Sequence, residues 1–209
     1  MLPEPPILVI TDRRMASRPL ADVLGAALEG GCRWVLLREP DLASGDLAEL
    51  GRDVATLCKR HNALLSISAD VTAATEIGAG GVHLPQRAAN AETVARARAA
   101  LGKAALIGVS CHSLEEAEAA QRLGADYVTL SPVFLTESKP GYGPALGTER
   151  LASMIAALHL PVLALGGIAP DNAAAVRASG AGGLAVMGLI MRAKDPAAAF
   201  GDLADGWQD

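Results

Sequence analysis

The sequence is short of aromatic residues, and this shortage bears on the architecture. Of 209 residues, 3% are aromatic and 51% are hydrophobic, so alanine and aliphatic side chains supply most of the apolar content. Small side chains suit the close helix–sheet contacts of layered α/β proteins better than the core of a β-sandwich. Because half of the chain is apolar, the composition also excludes disorder and allows a sizeable core.

Positive charge is scarce as well. The formal net charge is −5, and lysine occurs at four positions, Lys59, Lys103, Lys139 and Lys194. Such a chain lacks the broad basic surface that neutralises a nucleic-acid backbone. Any phosphate that the protein binds is therefore expected to be small and held locally.

Cysteines are few and long apolar runs are missing. Cys32, Cys58 and Cys111 show no pairing pattern, which is typical of reduced thiols in the cytoplasm. The first residues lack the basic and apolar regions of a signal peptide, and no apolar run approaches the roughly 18 residues that span a bilayer. We expect a soluble, cytoplasmic protein whose partners include neither membrane nor nucleic acid.

Short apolar runs alternate with longer alanine-rich amphipathic stretches along the whole chain. Eight runs of four or five residues are typical of strands buried on both faces, and seven stretches between and after them predict helices. The strands are predicted at 7–11, 34–37, 63–67, 81–84, 105–109, 127–130, 162–165 and 184–187. The helices are predicted at 19–30, 45–61, 91–101, 113–123, 148–158, 170–179 and 195–204.

This alternation predicts an α/β fold, a single compact (β/α)₈ TIM barrel that occupies residues 1–209 as one domain. An open doubly wound sheet is the rival, but it more commonly shows five or six strands and a glycine-rich first turn. Here the first turn reads Thr11-Asp12-Arg13, without glycine.

Several residues mark helix ends. Ser113 followed by Glu116 predicts a capping box at the start of a helix. Gly30, Gly124 and Gly180 each follow a predicted helix, where a left-handed cap favours glycine.

In such a barrel the active site lies at the carboxyl ends of the strands. The seventh strand ends at Gly166-Gly167 and the eighth at Met187-Gly188, where exposed backbone N–H groups favour a phosphate; the alternative is that the glycines only permit tight turns. The long loop 131–147 carries Thr136, Ser138 and Lys139, a group suited to a phosphate or carboxylate unless the loop is merely solvated.

The histidines differ in position. His61 and His159 lie at helix ends away from this face and are expected to be structural or exposed, and His83 is expected to be a hydrogen-bonded core residue. His112 follows the fifth strand, where it can serve as a general acid or base. Cys111 beside it is not expected to form a nucleophilic pair with it, because neighbours in a loop point different ways.

Eight segments, by their order and spacing, carry a family resemblance. They are Ile10-Thr11-Asp12, Leu37-Arg38-Glu39, Gly81-Val82-His83-Leu84, Gly108-Val109-Ser110-Cys111-His112-Ser113, Gly124-Ala125-Asp126-Tyr127-Val128, Ser131-Pro132-Val133-Phe134-Leu135-Thr136-Glu137-Ser138-Lys139, Leu165-Gly166-Gly167-Ile168 and Ala185-Val186-Met187. Together they resemble the thiamine phosphate synthase and thiazole tautomerase superfamily over nearly the whole chain. The resemblance implies a role in thiamine biosynthesis.

The synthases of this superfamily join a pyrimidine diphosphate to a thiazole phosphate, with loss of pyrophosphate and with the help of magnesium. Where they usually have Gln and Lys around the second strand, this chain has Leu36 and Pro40. Where they have the two carboxylates that hold magnesium, it has Ala69 and Ala88, which offer no ligand oxygen. Asp70 is adjacent to Ala69 but is expected to point to the opposite side.

This pattern resembles the thiazole tautomerase branch, whose members lack the magnesium carboxylates. The leading hypothesis is a metal-independent isomerase in which His112 moves a proton on a thiazole phosphate tautomer, without cofactor or metal. The expected catalytic residues are Ser110, His112 and Lys139, and the expected substrate-binding residues are Arg38, Thr136, Ser138, Gly166, Gly167, Met187 and Gly188.

Two alternatives stay open. The first is an atypical magnesium-dependent synthase, and the second is a non-catalytic regulator that binds thiazole or thiamine phosphates. Also open are the oligomeric state, with a homodimer as one arrangement, the role of Cys111, and whether Asp70, Arg13 or Arg38 replaces the missing family residues.

Overall fold

Eight parallel strands close into a barrel in which each strand pairs with its neighbours in chain order. The computed structural model describes residues 1–136 and 144–208. The predicted (β/α)₈ TIM barrel is confirmed, whereas the assignment of residues 1–209 to one domain stays a prediction. The strands are β1 Ile7–Ile10, β2 Trp34–Leu37, β3 Leu64–Ser68, β4 Gly81–Leu84, β5 Leu106–Cys111, β6 Tyr127–Leu130, β7 Val162–Leu165 and β8 Gly183–Val186.

Helices follow the strands around the outside of the barrel. They are α1 Leu20–Glu29, α2 Ser44–Arg60, α3 Val71–Glu76, α4 Ala91–Leu101, α5 Leu114–Arg122, α6 Gly147–Ile155, α7 Pro170–Ala178, α8 Gly188–Met191 and α9 Pro196–Gln208, with a 3₁₀ turn at Gln86–Ala88. The sequence pattern misses α3 and α8 because six and four residues are too few to show a helical period. Within the described ranges, no helix combines the length and the apolar character that crossing a membrane requires.

Strand β5 is longer than the sequence predicts, and the extension reaches the candidate site. The apolar run ends at Val109, but Ser110 and Cys111 continue to pair with Thr129 and Leu130 of β6. Because side chains alternate along a strand, Ser110 faces the barrel interior and Cys111 faces the surrounding helices.

Two apolar layers stabilise the barrel. The outer layer lies between strands and helices, and the inner layer fills the barrel with Leu8, Ile10, Trp34, Leu36, Leu106, Tyr127, Leu163 and Ala185. The rings of Trp34 and Tyr127 meet edge to face with their centroids 4.8 Å apart. Two of the few aromatic residues thus supply bulk in the inner layer, where a small side chain would leave a void.

One of the three predicted glycine caps is wrong. Gly124 and Gly180 adopt positive φ angles of 85° and 89°, but Gly30 has a φ of −71° and the left-handed position falls on Gly31. Gly30 serves a different purpose, because a Cβ there would lie 2.5 Å from the carbonyl oxygen of Ala197. Glycine at this position lets the start of α9 approach the end of α1.

The predicted capping box at α5 forms with a modification. The Ser113 hydroxyl accepts a hydrogen bond from the Glu116 amide at 3.2 Å, as expected. The Glu116 carboxylate accepts instead from the backbone N–H of His112, at 2.7 Å. The cap therefore ties the backbone of His112 to the first turn of α5.

Candidate active site

A cavity of about 790 Å³ opens at the carboxyl ends of the strands. Small-molecule sites commonly occupy about 300–1,000 Å³, so the cavity lies in the upper part of that range. All of the expected site residues that the structure describes line it: Arg38, Ser110, His112, Thr136, Gly166, Gly167, Met187 and Gly188. Ser138 and Lys139 lie outside the described residues, and the role of each residue stays a prediction.

His112 is held in one orientation at the cavity wall. Its Nδ1 lies 3.0 Å from the carbonyl oxygen of Ser131 and 3.2 Å from the Ser131 hydroxyl. A carbonyl oxygen can only accept, so Nδ1 carries the proton in this contact. In the neutral imidazole Nε2 then bears the lone pair, which is the arrangement that a general base needs.

His83 lies deeper, where it joins a polar chain inside the barrel. Its Nδ1 is 3.0 Å from the Tyr127 hydroxyl and its Nε2 is 2.9 Å from the Ser110 hydroxyl. Burial, with a contribution from the charge of Arg38, lowers the pKa of His83 to about 4, so the ring is neutral near pH 7. The expectation of a satisfied core histidine is confirmed.

Glu39 lines the cavity, but its carboxylate is engaged on the protein side. It accepts hydrogen bonds from the Thr11 hydroxyl at 2.7 Å, from the Arg13 amide at 3.1 Å and from the Arg13 guanidinium at 3.0 Å. Arg13 also hydrogen-bonds Asp41, which is the main reason that the pKa of Asp41 falls to about 2. Glu39 and Arg13 therefore satisfy each other, and Arg13 does not line the cavity.

Asp70 points away from the cavity. Its carboxylate caps α3 by accepting from the Ala73 amide at 2.9 Å. Burial raises its pKa, but hydrogen bonds from Ser44 and from the backbone outweigh burial, and the net pKa is lowered. The neighbouring Ala69, at a φ of 65°, lines the cavity in its place.

The described residues do not fit a magnesium site of the kind that the family resemblance implies. Ala69 and Ala88 offer no oxygen ligand from their side chains, Glu39 is saturated and Asp70 faces α3. Over residues 1–136 and 144–208, no group of three or more His, Cys, Asp or Glu side chains is arranged to hold a metal ion. Hard oxygen ligands are what magnesium requires.

The turn after β7 needs its glycines for packing. At Gly166 and Gly167 φ is 102° and 65°, and a Cβ at Gly167 would lie 2.6 Å from the carbonyl oxygen of Leu135. Asn172, which the sequence pattern misses, bridges this turn: its amide donates to Gly167 at 2.9 Å and accepts from Ala169 at 3.0 Å. Asn at the third position of a predicted helix was the signal available for this bridge.

Two further arginines, which the sequence analysis does not single out, also line the cavity. Arg87 lies in the 3₁₀ turn after β4, and Arg192 follows α8. Both positions come soon after a strand end, and that rule could have found them. Cys111 is fully buried and faces the surrounding helices, and burial raises the pKa of its thiol to about 12, which disfavours the thiolate.

Comparisons with known proteins identify the family and match the fold. A profile of the family described as thiamine monophosphate synthase matches residues 7–190. A thiamine-phosphate synthase of Roseiflexus sp. (strain RS-1) is 40% identical over 194 residues, which cover 92% of this chain and 81% of that protein. One of Moorella thermoacetica is 36% identical over 92% of this chain and 90% of that protein. The solved thiamine phosphate pyrophosphorylase from Pyrococcus furiosus is 32% identical, with a TM-score of 0.84 and coverage of 97% and 95%.

Proposed function

The chain belongs to the thiamine monophosphate synthase family, and from this premise we propose that it forms thiamine phosphate, the reaction for which its relatives are named. The sequence pattern favours the tautomerase and keeps a magnesium-dependent synthase as its first alternative. The names of the relatives support synthase activity better than the tautomerase. The reaction would join a pyrimidine diphosphate to a thiazole phosphate and release pyrophosphate.

The observation that carries the proposal is the size of the cavity together with its cationic lining. A volume of about 790 Å³, in the upper part of the range for small-molecule sites, leaves room for the two substrates that must meet in the synthase reaction. Arg38 and Arg87 add two cationic side chains to the cavity wall. Such cations are suited to a diphosphate that leaves with growing negative charge.

Within this proposal, the two phosphate groups occupy different parts of the cavity. The backbone of the turn at Gly166 and Gly167 would bind the thiazole monophosphate, in the position where (β/α)₈ barrels commonly hold a phosphate. Arg38 and Arg87 would bind the diphosphate on the side of β2 and β4. The guanidinium of Arg38 makes no hydrogen bond to another described residue, so it is available to an anion.

Magnesium has no part in the steps proposed here, since the described residues do not form its site. The arginines would neutralise the negative charge of the diphosphate leaving group, since guanidinium groups bind phosphates through paired hydrogen bonds. We therefore expect pyrophosphate release to persist when divalent cations are chelated.

A second candidate is the metal-independent tautomerase, and one observation favours it. His112 donates from Nδ1 to Ser131, so in the neutral imidazole the lone pair is on Nε2. Proton transfer needs a positioned base and no metal. In that reaction Ser110 and Arg38 would bind the single substrate. The rest of the cavity would not hold a second one.

Product analysis with both substrate sets distinguishes the candidates. The protein is incubated with the pyrimidine diphosphate and the thiazole phosphate, with magnesium or with EDTA, and pyrophosphate is measured; a parallel reaction contains the carboxythiazole phosphate tautomer. Pyrophosphate release supports the synthase. Tautomerisation alone would overturn it, and so would thermal stabilisation by the thiazole phosphate without turnover, which indicates a binder.

Two variants connect the assay to the site. Arg38→Met should lower pyrophosphate release at least about tenfold, because a charge-assisted contact to the leaving group contributes about 1.5–3 kcal/mol. Arg52→Met, an exposed arginine on α2, is the matched control and should leave the rate unchanged. In the tautomerase assay, a wild-type rate for His112→Asn would exclude His112 as the proton carrier.

A further inference from the structure

A hydrogen-bonded chain of three side chains runs from the middle of the barrel to the cavity. Tyr127 is fully buried, His83 is 4% exposed, and Ser110 lines the cavity above them. A Cβ at Gly108 would lie 2.1 Å from the Tyr127 ring and 2.5 Å from Nδ1 of His83. The glycine on β5 thus leaves the space in which Tyr127 and His83 meet.

The direction of the hydrogen bonds follows from Tyr127. Among the described residues, Nδ1 of His83 is the acceptor that its buried hydroxyl finds. A buried O–H without an acceptor costs about 1–3 kcal/mol, so Tyr127 donates to Nδ1. The neutral imidazole then carries its proton on Nε2, and this N–H donates to the Ser110 hydroxyl oxygen.

Ser110 is left with an unused hydrogen. Its oxygen accepts from His83, and no other described group lies within hydrogen-bond distance of it. Thr129 is the residue of β6 that pairs with Ser110. Its hydroxyl has no hydrogen-bond partner among the described residues, so it does not accept the Ser110 hydrogen. Arg38 also lines the cavity, and its positive charge adds to burial in lowering the pKa of His83.

We propose that Tyr127 and His83 are positioning residues that hold Ser110 as a hydrogen-bond donor to an acceptor group of the substrate. The acceptor is a phosphate oxygen or another group with a lone pair and no hydrogen at that position. The part of this proposal that concerns substrate rests on the proposed function, whereas the direction of the chain rests on the fold alone.

The same direction excludes a different role for Ser110. A serine nucleophile needs a neighbouring base that removes its proton. Nε2 of His83 already bears a proton, so His83 cannot act as that base. Ser110 therefore binds substrate and is not the attacking group in a Ser–His pair, although the distance of 2.9 Å alone would allow one.

The first experiment measures the tautomer of His83 without any ligand. The whole chain is labelled with ¹⁵N-histidine, and His83→Gln identifies the signals of His83. We expect protonated Nε2 and unprotonated Nδ1 between pH 6 and 8 in the wild type. Tyr127→Phe removes the hydroxyl that donates to Nδ1 of His83. The population of the tautomer with its proton on Nδ1 should therefore rise. Protonated Nδ1 in the wild type would overturn the proposal.

The second experiment is a double-mutant cycle with substrate. Ser110→Ala should lower kcat/KM about tenfold, and Tyr127→Phe about threefold to tenfold, which corresponds to losing or misdirecting a hydrogen bond of about 0.7–1.4 kcal/mol. In the Ser110→Ala background, Tyr127→Phe should have no further effect, since it acts through Ser110. Equal effects in both backgrounds would show a structural role and contradict the proposal.

A matched control and a binding readout separate the two proposals. Thr129→Val removes a buried hydroxyl that makes no hydrogen bond to a described residue, and it should leave kcat/KM unchanged. If neither reaction is detected, the proposed function fails, and the same cycle is measured as calorimetric affinity for the thiazole phosphate. Non-additivity in that cycle supports the chain, and additivity overturns it.

Discussion

The two sides of the cavity mouth differ in how their polar groups are satisfied. On the side of β1 and β2, Glu39 lines the cavity, but its carboxylate bonds to Thr11 and Arg13, and Arg13 bonds in turn to Asp41. On the side of β4 to β6, Tyr127, His83 and Ser110 form a chain of neutral groups, and the Ser110 hydroxyl keeps one hydrogen without a described acceptor. The comparison teaches that charged groups at strand ends can be fully used within the fold, whereas a neutral hydroxyl can keep a hydrogen for a ligand.

The largest expected effect comes from removing the Glu39 carboxylate, which joins the polar groups on the side of β1 and β2. Glu39→Ala leaves the Thr11 hydroxyl and the Arg13 amide and guanidinium without their shared acceptor. We expect the free energy of unfolding to fall by about 3–4 kcal/mol, measured by urea denaturation. An effect below about 1 kcal/mol would show that this side is not held together by Glu39.

Acid titration addresses the opposite side. The folded pKa of His83 is about 4, below its ordinary value of 6.5, so the unfolded chain binds more protons between these pH values. The stabilisation from neutral His83 is complete above pH 6.5 and is lost as the pH falls toward 4, on the order of 3 kcal/mol. The difference in unfolding free energy between wild type and His83→Gln should therefore shrink over this window. Parallel curves would contradict it.

A steric change should disturb the neutral side without altering any charge. In Gly108→Ala the new methyl group would meet the ring of Tyr127 at 2.1 Å, and inner-layer side chains must move. We expect a loss of about 2–3 kcal/mol in thermal or urea unfolding and a changed His83 tautomer signal. Gly25→Ala, where no atom lies within 4 Å of the new methyl group, is the control and should not destabilise.

The smallest expected effect belongs to the solvent end of the ion-pair network. Asp41→Asn weakens the ion pair with Arg13. The Asp41 side chain is 22% exposed. We expect less than about 1 kcal/mol, diminishing further with added salt, because exposed pairs are screened. A loss as large as that of Glu39→Ala would show that the network acts as one unit rather than through Glu39.

The architecture and the location of the site were predictable from local pattern. Eight apolar runs define the barrel, and the rule for strand ends brings Arg38, Ser110, His112 and the turn at Gly166 to one cavity. What local pattern does not contain is contact between distant segments. The closing of Glu39 onto Thr11 and the approach of Ala197 to Gly30 depend on elements that are far apart in sequence.

The direction of hydrogen bonds was equally out of reach for the sequence. His83 and His112 both end up beside hydroxyl groups, but only the partner atoms decide which ring nitrogen carries the proton. The choice between the synthase and the tautomerase also depends on how distant segments assemble, which the sequence pattern does not show. Missing carboxylates at positions 69 and 88 favour the tautomerase, whereas the volume and arginines of the assembled cavity, with the names of the relatives, favour the synthase.

The scarcity of aromatic residues gives the protein two separate fluorescent reporters. Trp34 lies inside the barrel against Tyr127, whereas Trp207 is on α9, which packs against α1 and α7. With these two tryptophans in the chain, Trp207→Phe leaves an emission that follows the barrel interior, and Trp34→Phe leaves one that follows the outer helix. Stopped-flow emission from the two variants would time the closure of the barrel against the docking of its last helix.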